Sequence, residues 1–510
     1  MAQAEHRQLR GQQQPWLSRI ESASGGFAAT FALLLGWIFA RNLLEGIFES
    51  SRQIGFDWRE DVSFPMVFLH FPLYYLALWS WLCLLLRWLT GRPLANIVRA
   101  VTLAFGVIVL PPLIDGLLAP GRGYDLKYLT GFGPVLWRLW DPSHALQEVS
   151  PGQRVEIALA CLLAAAYTAV AQVQRPRSLR LGGRERRNGA LAIALSAAAA
   201  ALGLYLIAAA LGAWPSWYAR LVHPGLAPAE AWVRVFRGPG LIDQESRRLA
   251  VLMALPVMAA APLLARLADP RKFHAALRYL GWTRLLHYSG LVPAGALVAF
   301  LLYRDHLPWA LRAGSDAPAL LVLWSAMACA YLASVWWNDR FDVEADQINA
   351  PGRPIASGLV RPAEAMTWAL AAAAAAVFLA LCVSYSSALL VTACLFVSWI
   401  YSAPPLRLKA RLLLSTLALA TLSLLSAMTG FSLFAREMAA GVFPRPLAWL
   451  LLAGITLGFT AKDLKDGPGD RATGTVTLVT LLGEGRARRL SALLVLNLAG
   501  TGSGKTRMNA

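Results

Sequence analysis

Apolar residues fall into runs of about 20, the length that crosses a bilayer as a helix, separated by shorter stretches rich in Arg, Asp, Gly and Pro. Six runs occupy the first half, near 27–47, 64–86, 97–118, 155–172, 190–213 and 249–266. Six more follow near 286–303, 317–337, 365–384, 387–403, 412–434 and 446–462. The pattern predicts an all-α fold, a polytopic transmembrane helical bundle of about 12 complete spans. The polar first 26 residues lead into a run too long for a signal-peptide core and without a small-residue cleavage site, so the first run reads as an uncleaved span.

The segment LADPRKFHAALRYLGWTR (267–284) is polar, basic and carries a Pro. It divides the chain into an N-terminal membrane domain of about six spans at 1–266, whose role the sequence does not disclose, a second domain at 267–500, and an irregular tail at 501–510. No sequence repeat relates the halves. Ala-rich stretches at 195–201 and 370–376 supply small residues that let helices pack closely. The expected outward loops at 119–153 and 214–248 are long and rich in Trp, Pro and Arg, which suits anchoring at the membrane interface.

Composition excludes the two or three soluble domains that 510 residues would otherwise suggest, because 57% of the chain is hydrophobic and only 15% charged. A net charge of +18 would suit nucleic acid if the basic residues were gathered on one soluble face. They are spread over loops, so no nucleic-acid partner is expected. With a cytoplasmic N-terminus, the second-half loops at 267–285, 338–362, 404–411 and 462–489 fall inside and hold 16 Lys and Arg, against four on the other face, Arg304, Arg312, Arg436 and Arg445. The stretch QRPRSLRLGGRERR (174–187) also lands inside, as the positive-inside rule requires. The same loops suit contact with anionic membrane lipids. High Ala, Leu and Arg content points to a GC-rich bacterial genome and hence to a bacterial inner membrane.

Cys83, Cys161, Cys329, Cys382 and Cys394 all sit in apolar runs without metal or redox spacing and read as packing residues. His70 reads as a hydrogen-bonded interior residue. Asp115, in PPLIDGLLAP, reads as an acid snorkelling toward the interface.

Candidate chemistry begins at NDRFDVEAD (338–346), directly after a spanning run. Asn338, Asp342 and Asp346 are spaced four apart, so a helix would line them on one face, with Asp339 beside Asp342. A second cluster, AKDLKDGPGDRATG (461–474), carries Asp463, Asp466 and Asp470 and again follows an apolar run. Four spans lie between the clusters, so both emerge on one face. Two such sets suit hard cations bound through oxygen, and Mg²⁺ in such sites shares its shell with a phosphorylated substrate. The loop YSAPPLRLKAR (401–411) puts Tyr401, Arg407, Lys409 and Arg411 on that face, and Arg353 follows the first cluster. Acids, metal and bases together make a diphosphate cradle.

NDRFDVEADQINAPGRPIASG resembles the first aspartate-rich motif of the UbiA superfamily of intramembrane prenyltransferases, KDLKDGPGDRATGTVTL resembles the second, and YSAPPLRLK is similar to the segment before the family's fifth helix. The resemblance covers about residues 272–500. It implies that Asn338, Asp339, Asp342, Asp346, Asp463, Asp466 and Asp470 serve Mg²⁺, with Asp342, Asp466 and Asp470 as the catalytic acids. Arg353, Arg407 and Lys409 would bind the diphosphate and Tyr401 would line the pocket. It further implies transfer of an isoprenyl group from an allylic prenyl diphosphate to a lipophilic acceptor, aromatic or quinone-precursor, by ionisation in a water-excluded pocket.

Two features depart from the family pattern. The resemblance implies about nine core helices, yet only about ten apolar residues remain from Leu490 to Ala499, too few to span, so the bundle is expected to lack its last helices. AGTGSGKT formally fits a phosphate-binding loop but lacks the strand, helix and domain which that motif needs. An inactive or truncated prenyltransferase-like protein and a transporter with the acids as a cation site are the alternatives.

Overall fold

The computed structural model describes residues 26–48, 66–118, 150–174, 185–306, 314–411, 413–435 and 442–458, with five isolated positions besides, Glu21 among them. Every element among the described residues is helical, and eleven helices are long and apolar enough to cross a membrane. They correspond to the first eleven expected runs. The twelfth begins with a 14-residue helix at Arg445–Gly458, and the rest of that run lies outside the described residues. The fold divides into two compact units, Met1–Arg237 with Gln244–Pro270, and Gly238–Asp243 with Arg271–Ala510.

In the first unit α1 spans Phe27–Phe48, α2 Phe71–Thr90 and α3 Leu94–Ala104, which runs through a 3-10 turn at Phe105–Val109 into α4, Leu110–Leu118. Then come α5, Pro151–Val173, α6, Glu185–Val222, α7, Pro228–Trp232, and α8, Glu245–Ala268. Leu34, Ile38, Trp79, Leu86, Ile97 and Phe105 form its core. Trp79 Nε1, inside it, donates to Thr102 Oγ1 at 3.0 Å, the kind of internal partner a bilayer demands.

Two expectations for this unit are corrected. The stretch 214–248 is largely helical, not a loop: α6 continues through Pro215 to Val222, and α7 and a π-helical turn at Val233–Arg237 follow. Its aromatic residues have a core to enter, since Trp214, Tyr218 and Trp232 pack against buried Phe236, Leu249 and Leu252, and Trp214 Nε1 donates to the Leu252 carbonyl at 3.1 Å. That burial outweighs the lost helical hydrogen bond at Pro215. Asp115 does not snorkel outward but is 2% exposed. Its carboxylate accepts from the Ser150 hydroxyl and, at 2.7 Å, from Gly152 N, so it neutralises the positive end of α5. The 119–149 part of the expected loop before α5 lies outside the described residues.

In the second unit α9 spans Pro270–Tyr279, α10 Trp282–Tyr303, α11 Asp316–Phe341, α12 Val343–Asn349 and α13 Pro362–Val383. They are followed by α14, Tyr385–Ser402, α15, Leu414–Ala435, and α16, Arg445–Gly458. α11 packs along α13 and α10 along α15, with α14 against α11, α13 and α15. The α10–α15 crossing depends on two glycines: a Cβ on Gly295 would stand 1.8 Å from the Ala427 carbonyl oxygen, and one on Gly430 would stand 1.7 Å from that of Val292. Backbones this close need small residues on both helices. Lys272 Nζ, 3.0 Å from Glu364 Oε2, ties α9 to the start of α13.

Candidate active site

The acidic stretch at the end of α11 does not continue as one helix. α11 stops at Phe341, Asp342 takes φ −110° and ψ 15°, and α12 starts at Val343. The four-residue spacing of Asn338, Asp342 and Asp346 therefore straddles a bend, and the single helical face expected from the sequence is not formed. Asp342 still accepts at its carbonyl from Asp346 N at 2.8 Å, which keeps the two segments close. The bend swings Asp346 and Asp339 toward a common partner.

That partner is Arg353. After α12 the chain winds through successive turns, with Arg353 N bonded to the Ala350 carbonyl and Ser357 N to that of Arg353, both at 2.9 Å. Gly352 lets this turn pass beneath Tyr279, whose hydroxyl would lie 2.3 Å from a Cβ there. Arg353 Nη1 then reaches Asp339 Oδ1 at 2.9 Å and Asp346 Oδ2 at 2.8 Å. Both carboxylates are buried, 5% and 8% exposed. Burial pushes the Asp346 carboxyl above its ordinary range, and the Arg353 guanidinium pulls it back down.

The loop after α14 supplies two more cations. Arg407 adopts the left-handed conformation, φ 38° and ψ 58°, and leads into a 3-10 turn at Leu408–Ala410. Lys409 Nζ lies 2.5 Å from Asp342 Oδ1 and 3.2 Å from Asn338 Oδ1, and Arg407 Nη2 lies 3.3 Å from Asp342 Oδ1. Burial lowers the Lys409 ammonium below the usual lysine range, with Asp342 opposing it. Ser402 Oγ donates to Asn338 Oδ1 at 3.0 Å. Arg411 is exposed at the end of this turn.

The structure thus brings Asn338, Asp339, Asp342, Asp346, Arg353, Arg407 and Lys409 into one constellation. Three carboxylates face three cations, so it is neutral as it stands. The expected metal ligands and catalytic acids Asp463, Asp466 and Asp470 lie outside the described residues. Among the described residues no three of His, Cys, Asp and Glu converge to hold a metal ion by themselves. The oxygen-only set at 338–346 still fits a hard cation of the Mg²⁺ kind, which takes one or two carboxylates and fills its shell from water and phosphate.

Tyr401 is half-buried and within electrostatic reach of Tyr288, whose ring stacks on Tyr331 at 6.0 Å between centroids. Tyr331 is itself within reach of Asp339 and Arg353, and its hydroxyl donates to the Leu280 carbonyl at 2.8 Å. Sequence reasoning missed Tyr331, Tyr288 and Ser402. Tyr331 had a legible signal, since it stands seven residues before Asn338, two turns back on the same side of α11.

Residues 291–506 match the family model described as the UbiA prenyltransferase family. A digeranylgeranylglyceryl phosphate synthase of Methanopyrus kandleri is 33% identical over 165 residues, 32% of this chain and 57% of that protein. The enzyme of the same name from Methanothrix thermoacetophila is 31% identical over 159 residues, 31% of this chain and 57% of that protein. A chloroplastic 2-acylphloroglucinol 4-prenyltransferase of Humulus lupulus is 32% identical over 183 residues, 33% of this chain and 43% of that protein. The chain spans about half the length of these curated relatives. No solved structure matches it. The matched segment, residues 291–506 of this multi-pass helical membrane protein, holds every residue of the constellation at 338–409 and is similar to the UbiA prenyltransferase family.

Proposed function

We propose that the chain catalyses Mg²⁺-dependent transfer of an isoprenyl group from an allylic prenyl diphosphate to a lipophilic acceptor within the membrane. The observation that carries this reading is the interleaving of Asp339, Asp342 and Asp346 with Arg353, Arg407 and Lys409 at the ends of α11 and α14. Three carboxylates alone would repel a diphosphate, and three cations alone would hold it without the hard cation that spreads its charge. A mixed set does both. Asn338 and Asp342, with Asp463, Asp466 and Asp470, would hold Mg²⁺, which when bound neutralises the leaving diphosphate.

Arg353, Arg407 and Lys409 bind the diphosphate oxygens and stabilise them as the allylic C–O bond breaks and its electron pair leaves with the diphosphate. Tyr401, beside Tyr288 and Tyr331, lines the apolar side, keeps water from the cation and orients the prenyl chain. The acceptor's nucleophilic atom then forms the new bond to the prenyl carbon and loses its proton. The names of the relatives support two acceptor classes, a glyceryl phosphate and an acylated phloroglucinol; of these the aromatic or quinone-precursor class is our reading. The loop bias of Lys and Arg supports a bacterial inner membrane with the acidic motifs on the cytoplasmic side. Residues 1–266 are read as an N-terminal membrane domain of about six spans.

The test is diphosphate release by the purified, lipid-reconstituted chain from geranyl, farnesyl and geranylgeranyl diphosphates, with Mg²⁺, with chelator, and beside Asp342→Asn. Release that needs Mg²⁺ and disappears in the variant supports the reading. No release from any of the three by folded protein defeats it in favour of an inactive relative, and cation flux without prenyl transfer in proteoliposomes would favour a transporter.

A further inference from the structure

The first unit carries a charged site that plays no part in the proposed prenyl transfer. Glu21 lies ahead of α1 and is 4% exposed. Its carboxylate accepts from Arg92 Nη1 at 2.7 Å, Asn96 Nδ2 at 3.2 Å and the Tyr167 hydroxyl at 3.1 Å. Arg99 Nη1 donates to the Glu21 backbone carbonyl at 2.7 Å, and Arg92 Nη2 donates to Gln174 Oε1 at 2.7 Å.

Every donor to Glu21 belongs to the helical scaffold. Asn96 and Arg99, three apart on α3, share a face. Arg92 stands in the turn after α2, where Gly91 is left-handed and Arg87 Nη1 holds the Arg92 carbonyl at 2.7 Å. Tyr167 lies in the second half of α5. One guanidinium, a carboxamide and a phenol thus converge as donors on the Glu21 carboxylate, and a second guanidinium, that of Arg99, holds the Glu21 backbone carbonyl.

Their charge exceeds that of the occupant. Two guanidiniums contact Glu21, but only that of Arg92 reaches its carboxylate, and Arg99 is left on a neutral carbonyl, whereas a phosphate monoester brings up to two negative charges and three acceptor oxygens that match guanidinium forks. The end of α2, the start of α3 and the end of α5 meet at Glu21, so the site lies at the ends of apolar spans, where headgroups are expected.

We propose that Arg92, Asn96, Arg99 and Tyr167 form a binding site for a phosphate monoester, and that Glu21 is an internal occupant which such a ligand displaces. A lipid headgroup and free phosphate share this chemistry. The test titrates the purified full-length chain with dihexanoyl phosphatidic acid and, separately, with inorganic phosphate, and reads affinity by calorimetry. Glu21→Gln removes the competing charge and raises affinity for at least one of them about tenfold, the effect of losing one charge-assisted contact. Arg92→Gln in the same background returns it to the wild-type level or below. A gain for phosphatidic acid alone assigns the site to a lipid headgroup, and an equal gain for both assigns it to soluble phosphate. If folded Glu21→Gln binds both ligands no better than wild type, Glu21 is a structural tie and the proposal is overturned. Should Glu21→Gln fail to fold, Glu21→Asp, which keeps the charge but shortens the reach, takes its place; it must show a gain in the same direction, and unchanged binding overturns the proposal equally.

Discussion

Lys409 Nζ stands 2.5 Å from Asp342 Oδ1, so the turn after α14 closes onto the bend between α11 and α12 through one charge pair. Lys409 is mostly buried and also contacts Asn338 at 3.2 Å, so its ammonium is positioned from two sides. In the proposed reaction that charge is handed to the diphosphate. Lys409→Gln should lower affinity for geranyl diphosphate in the presence of Mg²⁺ by about tenfold or more, the loss of one charge-assisted contact. Lys409→Arg should recover only part of it, because a planar fork cannot serve two points arranged for a compact ammonium. Equilibrium binding of the diphosphate to the two variants is the check.

Arg353 makes a different prediction, about stability. It is the shared partner of Asp339 and Asp346, and its removal leaves two carboxylates buried side by side. Breaking a buried pair in this way costs about 3 kcal/mol. Arg353→Ala should therefore unfold at lower temperature in detergent. Adding Asp339→Asn should restore part of the loss, because one of the stranded charges is then gone. Equal melting of the single and double variants would mean that the two groups are not coupled.

The α10–α15 crossing gives a test of packing alone. Gly430→Ala puts a methyl 1.7 Å from the Val292 carbonyl oxygen, backbone that cannot move aside without shifting a helix. Overpacking of this kind costs about 1–3 kcal/mol. A Cβ on Gly290, also on α10, would meet nothing within 4 Å, so Gly290→Ala should leave stability unchanged or slightly raised through helix propensity. Thermal unfolding of the two variants side by side separates the crossing from a general intolerance of alanine.

The spans were legible because a bilayer imposes one requirement, about 20 apolar residues per crossing, and the sequence meets it in discrete runs. The grouping of Asn338, Asp342 and Asp346 with Arg353, Arg407 and Lys409 was also legible, since acids and bases clustered at span ends need partners. The bend at Asp342 was not. DVEAD contains no Gly or Pro, and local propensity would carry α11 straight on; the tertiary pull of Arg353, Arg407 and Lys409 on the acids is what accompanies the turn. Asp115 was misread and Glu21 missed for a related reason. Their partners, Ser150 and Gly152 for one and Arg92, Asn96 and Tyr167 for the other, lie 35 to 146 residues away, beyond any local pattern. The length of α6 was hidden by Pro215, which reads as a stop until the burial of the neighbouring Trp214 is known.

Arg407 joins backbone conformation to the proposed chemistry. Its φ of 38° lies in the left-handed region, where a side chain costs about 1–2 kcal/mol relative to the ordinary helical basin. Its ion pair with Asp342, 3.3 Å long and 42% exposed on the arginine side, returns at most about 1 kcal/mol. Stability alone would thus favour glycine at this position. Retaining arginine there agrees with strain held at a functional site. Arg407→Gly and Arg407→Ala both lose the guanidinium, but only the glycine relieves the backbone. The glycine variant should be the more stable of the two by about 1 kcal/mol, while both lose affinity for the diphosphate to the same extent. Melting temperatures and diphosphate binding measured on the pair separate the two contributions, and equal stability of the variants would show that the left-handed turn carries no cost.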